Sequence, residues 1–152
     1  MSQNPPEGMP RVTPYLHYED VAAALDWLSK AFGLTERLRI PGPDGKIGHA
    51  EMVLEEGVVM MGMPMEEYEN PRKRGGLPTA TVYIYVDDVD SHFERARSAG
   101  AEILRQPTDE FYGDRVYGAA DPEGQRWFFA THVRDVPAEE MMEAAAQMAQ
   151  SS

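Results

Sequence analysis

With 152 residues, 42% of them hydrophobic, the chain suits one compact domain or two very small units sharing a core. Its formal net charge of −12, from 26 acidic against 14 basic residues, opposes phosphate backbones and anionic membrane surfaces, so neither nucleic acid nor membrane is an expected partner. The lack of cysteine removes disulfides, thiol catalysis and Cys-ligated metal centres. No apolar run reaches the ~20 residues of a spanning helix, and the polar start is no signal peptide, so a cytoplasmic location is expected.

Residues 1–10, rich in proline and glycine, read as a flexible leader. A short strand follows in VTPYLHY. Val21, Leu25, Leu28 and Phe32 then recur at helical spacing, with Asp20 placed to cap the helix and Gly33 to stop it. TERLRI, KIGHAEMVL and VVMMGM read as strands separated by the turns PGPDG and EEG. Residues 64–78, polar and broken by prolines and glycines, form a linker or a loop able to drape over a pocket. The basic run RKRGG within it reads either as a solvated loop or as a gate for an anionic ligand. The plan then restarts: strand TATVYIYV, helix DVDSHFERARSAG, strand AEILRQP, and two strands around the DPEG turn. Pro137 opens a last helix in the tail, residues 134–152.

The restart is a repeat. YLHYEDV (15–21) lies over YIYVDDV (83–89), and each copy is followed by a helix that ends in glycine. The expected fold is therefore α+β: two βαβββ modules, residues 11–63 and 79–133, forming a half-open mixed barrel around a cavity. Each module has one helix to cover one sheet face, which leaves the other face for its twin to bury.

The segments TPYLHYEDVAAALDWLSKAFG, PGPDGKIGHAEM and YGDRVYGAADPEGQRWFFATHVRDVPAEEM, in this order and spacing, carry a resemblance. The chain resembles the vicinal-oxygen-chelate superfamily of glyoxalase I, extradiol dioxygenases and bleomycin- and fosfomycin-resistance proteins, and within it the PhnB-like members. The resemblance implies the glyoxalase/bleomycin resistance/dihydroxybiphenyl dioxygenase fold, and residues 11–133 as one such domain. It also implies a divalent metal held by side chains from the first and last strands of each module. On this chain those positions fall on Thr13, Thr81, Phe128 and the run Met60 to Met63. None of them is a strong ligand for a hard or borderline divalent ion, so no metal and no other cofactor is expected.

Other candidates come from strand alternation. His49 and Glu51 sit two apart on one strand face and could act as an acid–base pair. Tyr15 and His17 share a face with Thr13, and Tyr83 and Tyr85 share one with Thr81, which would line a cavity with phenol and imidazole. Arg115 either clamps an anionic group or pins the hairpin through a neighbouring acid. Phe128 is expected to point into the cavity, and Trp127 to pack against a helix. His132 reads as a strand-end cap or a dimer contact. The expected function is binding of a small organic ligand without the usual metal, in a homodimer. The alternative is a lyase or dioxygenase-like enzyme using an atypical metal site or the His49/Glu51 pair.

Overall fold

The structure is a computed structural model and describes residues 3–151. The first module runs β1 (Tyr15–His17), α1 (Val21–Phe32), β2 (Thr35–Pro41), β3 (Ile47–Leu54) and β4 (Gly57–Gly62). The second repeats it as β5 (Val82–Tyr85), α2 (Val89–Ser98), β6 (Glu102–Asp109), β7 (Asp114–Ala120) and β8 (Arg126–His132), and α3 (Ala138–Ser151) follows. Each module makes one four-stranded mixed sheet, ordered β1-β4-β3-β2 and β5-β8-β7-β6. In each sheet the first strand lies parallel to the last, so Tyr15 pairs with Met60 and Tyr83 with Phe128. The repeat read in the sequence is thus a repeat of topology and register.

The helices start and stop for local reasons. Asp20 accepts from the Ala23 amide and Asp88 from the Ser91 amide, satisfying donors that the first turn leaves open. Gly33 ends α1 in the left-handed conformation at φ 76°, which a side chain rarely adopts. The buried face of α1 is Val21, Ala24, Leu25, Leu28, Ala31 and Phe32, built on the helical spacing that marked it; α2 buries Val89, Phe93 and Ala96.

Both helices and one face of each sheet share a single core. Phe32 of α1 meets Trp127 and Phe129 of β8 with ring centroids 5.4 and 4.7 Å apart, so an aromatic cluster bridges the modules. Trp127 is fully buried against this cluster, as its expected helix-packing role requires. Buried rings of this size dominate core energetics, and truncating one costs about 3–5 kcal/mol.

The opposite face of each sheet is not buried by the twin module within the chain. Tyr15, Tyr83 and Tyr85 stay 45%, 43% and 59% exposed, and all seven residues of β2 are exposed, Leu38 and Ile40 among them. The reason is that the modules meet through α1, α2 and the helix-covered sheet faces, which turns the two other faces outward. Among the described residues no helix is long and apolar enough to cross a membrane.

Candidate functional site

The open face of the first sheet carries a hydrogen-bonded chain of side chains. Register places His17, Gly62, His49 and Ile40 in one cross-strand row, and Tyr15, Met60, Glu51 and Leu38 in the next, all on the same face. The Tyr15 ring crosses β4 above Gly62, where an added Cβ would lie 2.6 Å from the tyrosine oxygen. Its hydroxyl reaches His49 Nδ1 at 3.0 Å, His49 Nε2 lies 3.0 Å from Glu51 Oε2, and Arg37 stands 3.6 Å from the other Glu51 oxygen. A carboxylate only accepts, so His49 donates from Nε2, and in the neutral imidazole Nδ1 accepts the Tyr15 proton. Burial, and then the Glu51 charge, push the Tyr15 phenol up. His17 donates to the Met63 carbonyl at 3.2 Å and stacks on Tyr68 from the linker at 5.1 Å between centroids.

Beside this chain lies a cavity of about 350 Å³ whose walls include Tyr15, His17, Tyr68, Arg74, Thr81 and Arg126. The linker residues therefore do drape over a hollow, and among the side chains they bring are Arg74, from the basic run at 72–76, and Tyr68, which the sequence did not mark. Thr81 contributes to the wall, while Thr13 is half-buried just ahead of β1 and outside this lining.

The open face of the second sheet is built around an acid. Tyr83 and Tyr85 both donate to Asp114 Oδ2 at 2.8 Å, and His132 Nδ1 donates to Asp114 Oδ1 at 2.7 Å. The second nitrogen of His132 donates to Asp135 at 2.7 Å. Burial would raise the Asp114 carboxyl, but the donors His132, Tyr83 and Tyr85 outweigh it and hold it below the usual carboxylate range. Hydrogen bonds to Asp114 and Asp135 raise His132 in turn. Phe128 lies in the same row as Tyr83 and Gly118, with its ring against Gly118 where a Cβ would sit 2.5 Å away.

The structure thus brings Tyr15, His17, His49 and Glu51 together on one face, and Tyr83, Tyr85 and Phe128 on the other. It does not bring Arg115 to either. That guanidinium sits on the helix side of β7, hydrogen-bonded to Asp90 of α2 and Asp109 of β6 at 3.1–3.2 Å. Asp114 and His132 are the functional candidates the sequence undersold. The period-2 alternation from His132 to Ala130 and Phe128 was the signal that could have placed His132 on the open face.

The superfamily's metal site can be tested on these side chains. Met60 and Phe128 occupy equivalent rows, a thioether and a hydrocarbon ring where oxygen or nitrogen donors would be needed, and Thr13 and Thr81 are weak ligands. Among the described residues no group of three or more His, Asp or Glu is arranged to hold a metal ion. Glu51 and Asp114 are each committed to imidazole partners, with Arg37 and two phenols besides. The residues present do not fit the ion.

Two mixed sheets built from βαβββ repeats, with polar aromatic open faces, define a class of protein, and comparison with known families agrees. Residues 10–129 match the family model described as the Glyoxalase/Bleomycin resistance protein/Dioxygenase superfamily, and the chain belongs to that superfamily. It is 36% identical over 140 residues to the uncharacterized protein Mb0911c of Mycobacterium bovis, covering 89% of this chain and 91% of that one. Among solved structures, TioX from Micromonospora sp. ML1 superposes with a TM-score of 0.67 at 34% identity, over 82% of this chain and all of TioX. TnmS3 from Streptomyces sp. CB03234, described as an antibiotic binding protein, superposes at 0.64 with 16% identity, over 82% of this chain and 98% of its own; that likeness is one of fold.

Proposed function

We propose that the protein binds a small, flat, polar organic ligand against the phenol–imidazole walls of its open sheet faces, and does so without the superfamily's usual metal. The observation that carries the reading is the Tyr15–His49–Glu51 chain, held across Gly62 and opening on a cavity of about 350 Å³, within the size range of small-molecule sites. TnmS3 shows that the same fold serves an antibiotic-binding protein. Resemblance of the segments quoted above to PhnB-like members supports that subfamily within this reading, and the cysteine-free composition suits the cytoplasm.

The working unit in this reading is a homodimer, with a second copy covering the outward sheet faces. Exposed Leu38 and Ile40 on β2 are the surface such a copy would bury, with the ligand held between the phenol walls. Light scattering should give twice the chain mass.

The binding test is calorimetric titration with 1,4-dihydroxyanthraquinone, a planar probe with hydroxyl and carbonyl groups. Saturable binding is expected for the native protein, weakened by Tyr15→Phe and by His17→Ala. Absence of heat with this probe and with a panel of flat polar aromatics would sink the reading. A second reading, an acid–base enzyme using His49 and Glu51, is favoured by their direct contact with the Tyr15 phenol. It requires a bound compound to be turned over at a rate that Glu51→Gln lowers more than it lowers affinity.

A further inference from the structure

Tyr83 and Tyr85 each have one hydroxyl proton, and both protons are spent on the same Asp114 oxygen at 2.8 Å. The other Asp114 oxygen is taken by His132. Asp114 itself is 3% exposed, whereas the two tyrosines are 43% and 59% exposed. A ligand on this face therefore meets phenol oxygens and ring faces and does not meet the carboxylate directly. A phenol oxygen whose proton is committed has only lone pairs left to offer.

The formal charges of the cluster point the same way. Asp114 and a protonated His132 cancel, and Asp135 leaves one negative charge over. A third phenol, Tyr112, stands beside the pair and shares a hydrogen bond with Tyr83, which leaves the Tyr85 oxygen the freer acceptor. The cation next in sequence, Arg115, is tied to Asp90 and Asp109 on the other side of the sheet. Burial and the Asp114 bond raise Tyr83, and the Asp114 bond and burial raise Tyr85, so both stay neutral acceptors.

Resting on the reading of this face as a ligand wall, we propose that the Tyr83–Tyr85–Asp114 cluster selects a ligand bearing a hydrogen-bond donor beside a flat ring, above all a protonated amine, and turns away carboxylates. An ammonium donates to the two phenol oxygens in a charge-assisted bond and lies over electron-rich rings. A carboxylate brings acceptors to acceptors and loses its hydration without compensation. Asp114 acts as a positioning residue: it fixes where the phenol protons point and leaves the ligand to the oxygens.

The test compares two probes of one shape, 1-naphthylmethylamine, protonated at pH 7.5, and 1-naphthoate. Both are titrated into the full-length protein at about 0.15 M salt, where the Debye length is about 8 Å and diffuse attraction is damped. The ammonium should bind about tenfold or more tightly than the carboxylate, the size of one hydrogen bond to a charged group. The Tyr83→Phe/Tyr85→Phe variant keeps the net charge, so a preference made by the phenol oxygens should fall to near parity. Tyr85→Phe alone, which leaves Asp114 one phenol donor, should give an intermediate ratio and covers the case in which the double variant does not fold. A preference unchanged in the variants would assign it to the overall acidity and overturn the proposal. Equal or tighter binding of naphthoate by native protein would do the same while leaving ligand binding intact. If neither probe nor the hydroxyanthraquinone binds, the wall reading itself fails and this proposal with it.

Discussion

A methyl group added at Gly62 would lie 2.6 Å from the Tyr15 hydroxyl and 3.0 Å from the Gly48 carbonyl oxygen. The tyrosine reaches His49 only because the strand between them has no side chain at that point. Gly62→Ala must push the ring aside and break a 3.0 Å bond to His49 Nδ1. Binding of the hydroxyanthraquinone should weaken by about fivefold, the loss of one ordinary hydrogen bond. The His49 imidazole should also lose its shielded Nδ1 environment in nitrogen NMR. Unchanged affinity in a folded variant would show that the Tyr15–His49 contact is incidental to the site. The sequence spelled Tyr15, His17, His49 and Glu51 onto faces by alternation alone, and that part was legible. What alternation cannot supply is the glycine between them, because its importance lies in the cross-strand row and is absent from any local pattern.

At the level of elements, side chains of α2 cover the carbonyls at the end of α1, where Ser29 also receives a backbone donor, the Gly33 amide at 3.1 Å. Arg95 donates to Ser29 and Lys30 and His92 to Phe32, with Tyr117 donating to the second His92 nitrogen at 2.6 Å. The helix spans and caps could be read from apolar spacing, Asp20, Asp88 and the glycines. These closing contacts could not, because they join residues some 60 positions apart and depend on how the two modules dock. They carry a pH dependence. Burial lowers His92, offset in part by the Phe32 bond, so the native state keeps it neutral while the unfolded chain protonates near the ordinary value of 6.5. Its contribution to stability is therefore full above about pH 6.5 and is lost as pH falls from there toward the lowered native value. His132 works in the opposite sense: its raised value adds stability below its unfolded pKa that fades as pH rises through the native one. The His92 share is isolated by difference. Melting temperatures of native protein and His92→Gln should converge as pH is lowered from 7.5 to 5. A constant gap between them would mean that His92 does not titrate with unfolding.

For the whole molecule, the DPEG turn of the second module is the joint on which the halves are set. Asp121 takes four donors: the Tyr18 hydroxyl at 2.6 Å, the Trp127 indole at 3.1 Å, and the amides of Glu123 and Gln125 at 3.0 Å. Glu123 reaches back across the chain, accepting from the Glu19 amide at 2.6 Å, the Asp20 amide at 3.1 Å and the Asn70 side chain at 2.6 Å. One carboxylate thus holds the entrance of α1, the linker and the second module's turn together. In the sequence, DPEG marked the family and the turn, while the partners of its glutamate lie some 50 and 100 residues away. Glu123→Gln keeps the shape and replaces one acceptor oxygen by an NH₂ group. Either the Asp20 amide or the Glu19 and Asn70 donors must then face another donor in a site that is 7% exposed. The cost should be about 1–3 kcal/mol, the penalty for a buried polar group left unpaired. Glu36→Gln is the control, since its ion pair with Arg39 is exposed and such pairs contribute about 0–1 kcal/mol. Chemical denaturation should show a lowered midpoint with an unchanged slope for Glu123→Gln and almost no shift for Glu36→Gln. A lowered slope for Glu123→Gln would instead mean that the two modules had begun to unfold separately, and that this carboxylate is what makes them one cooperative unit.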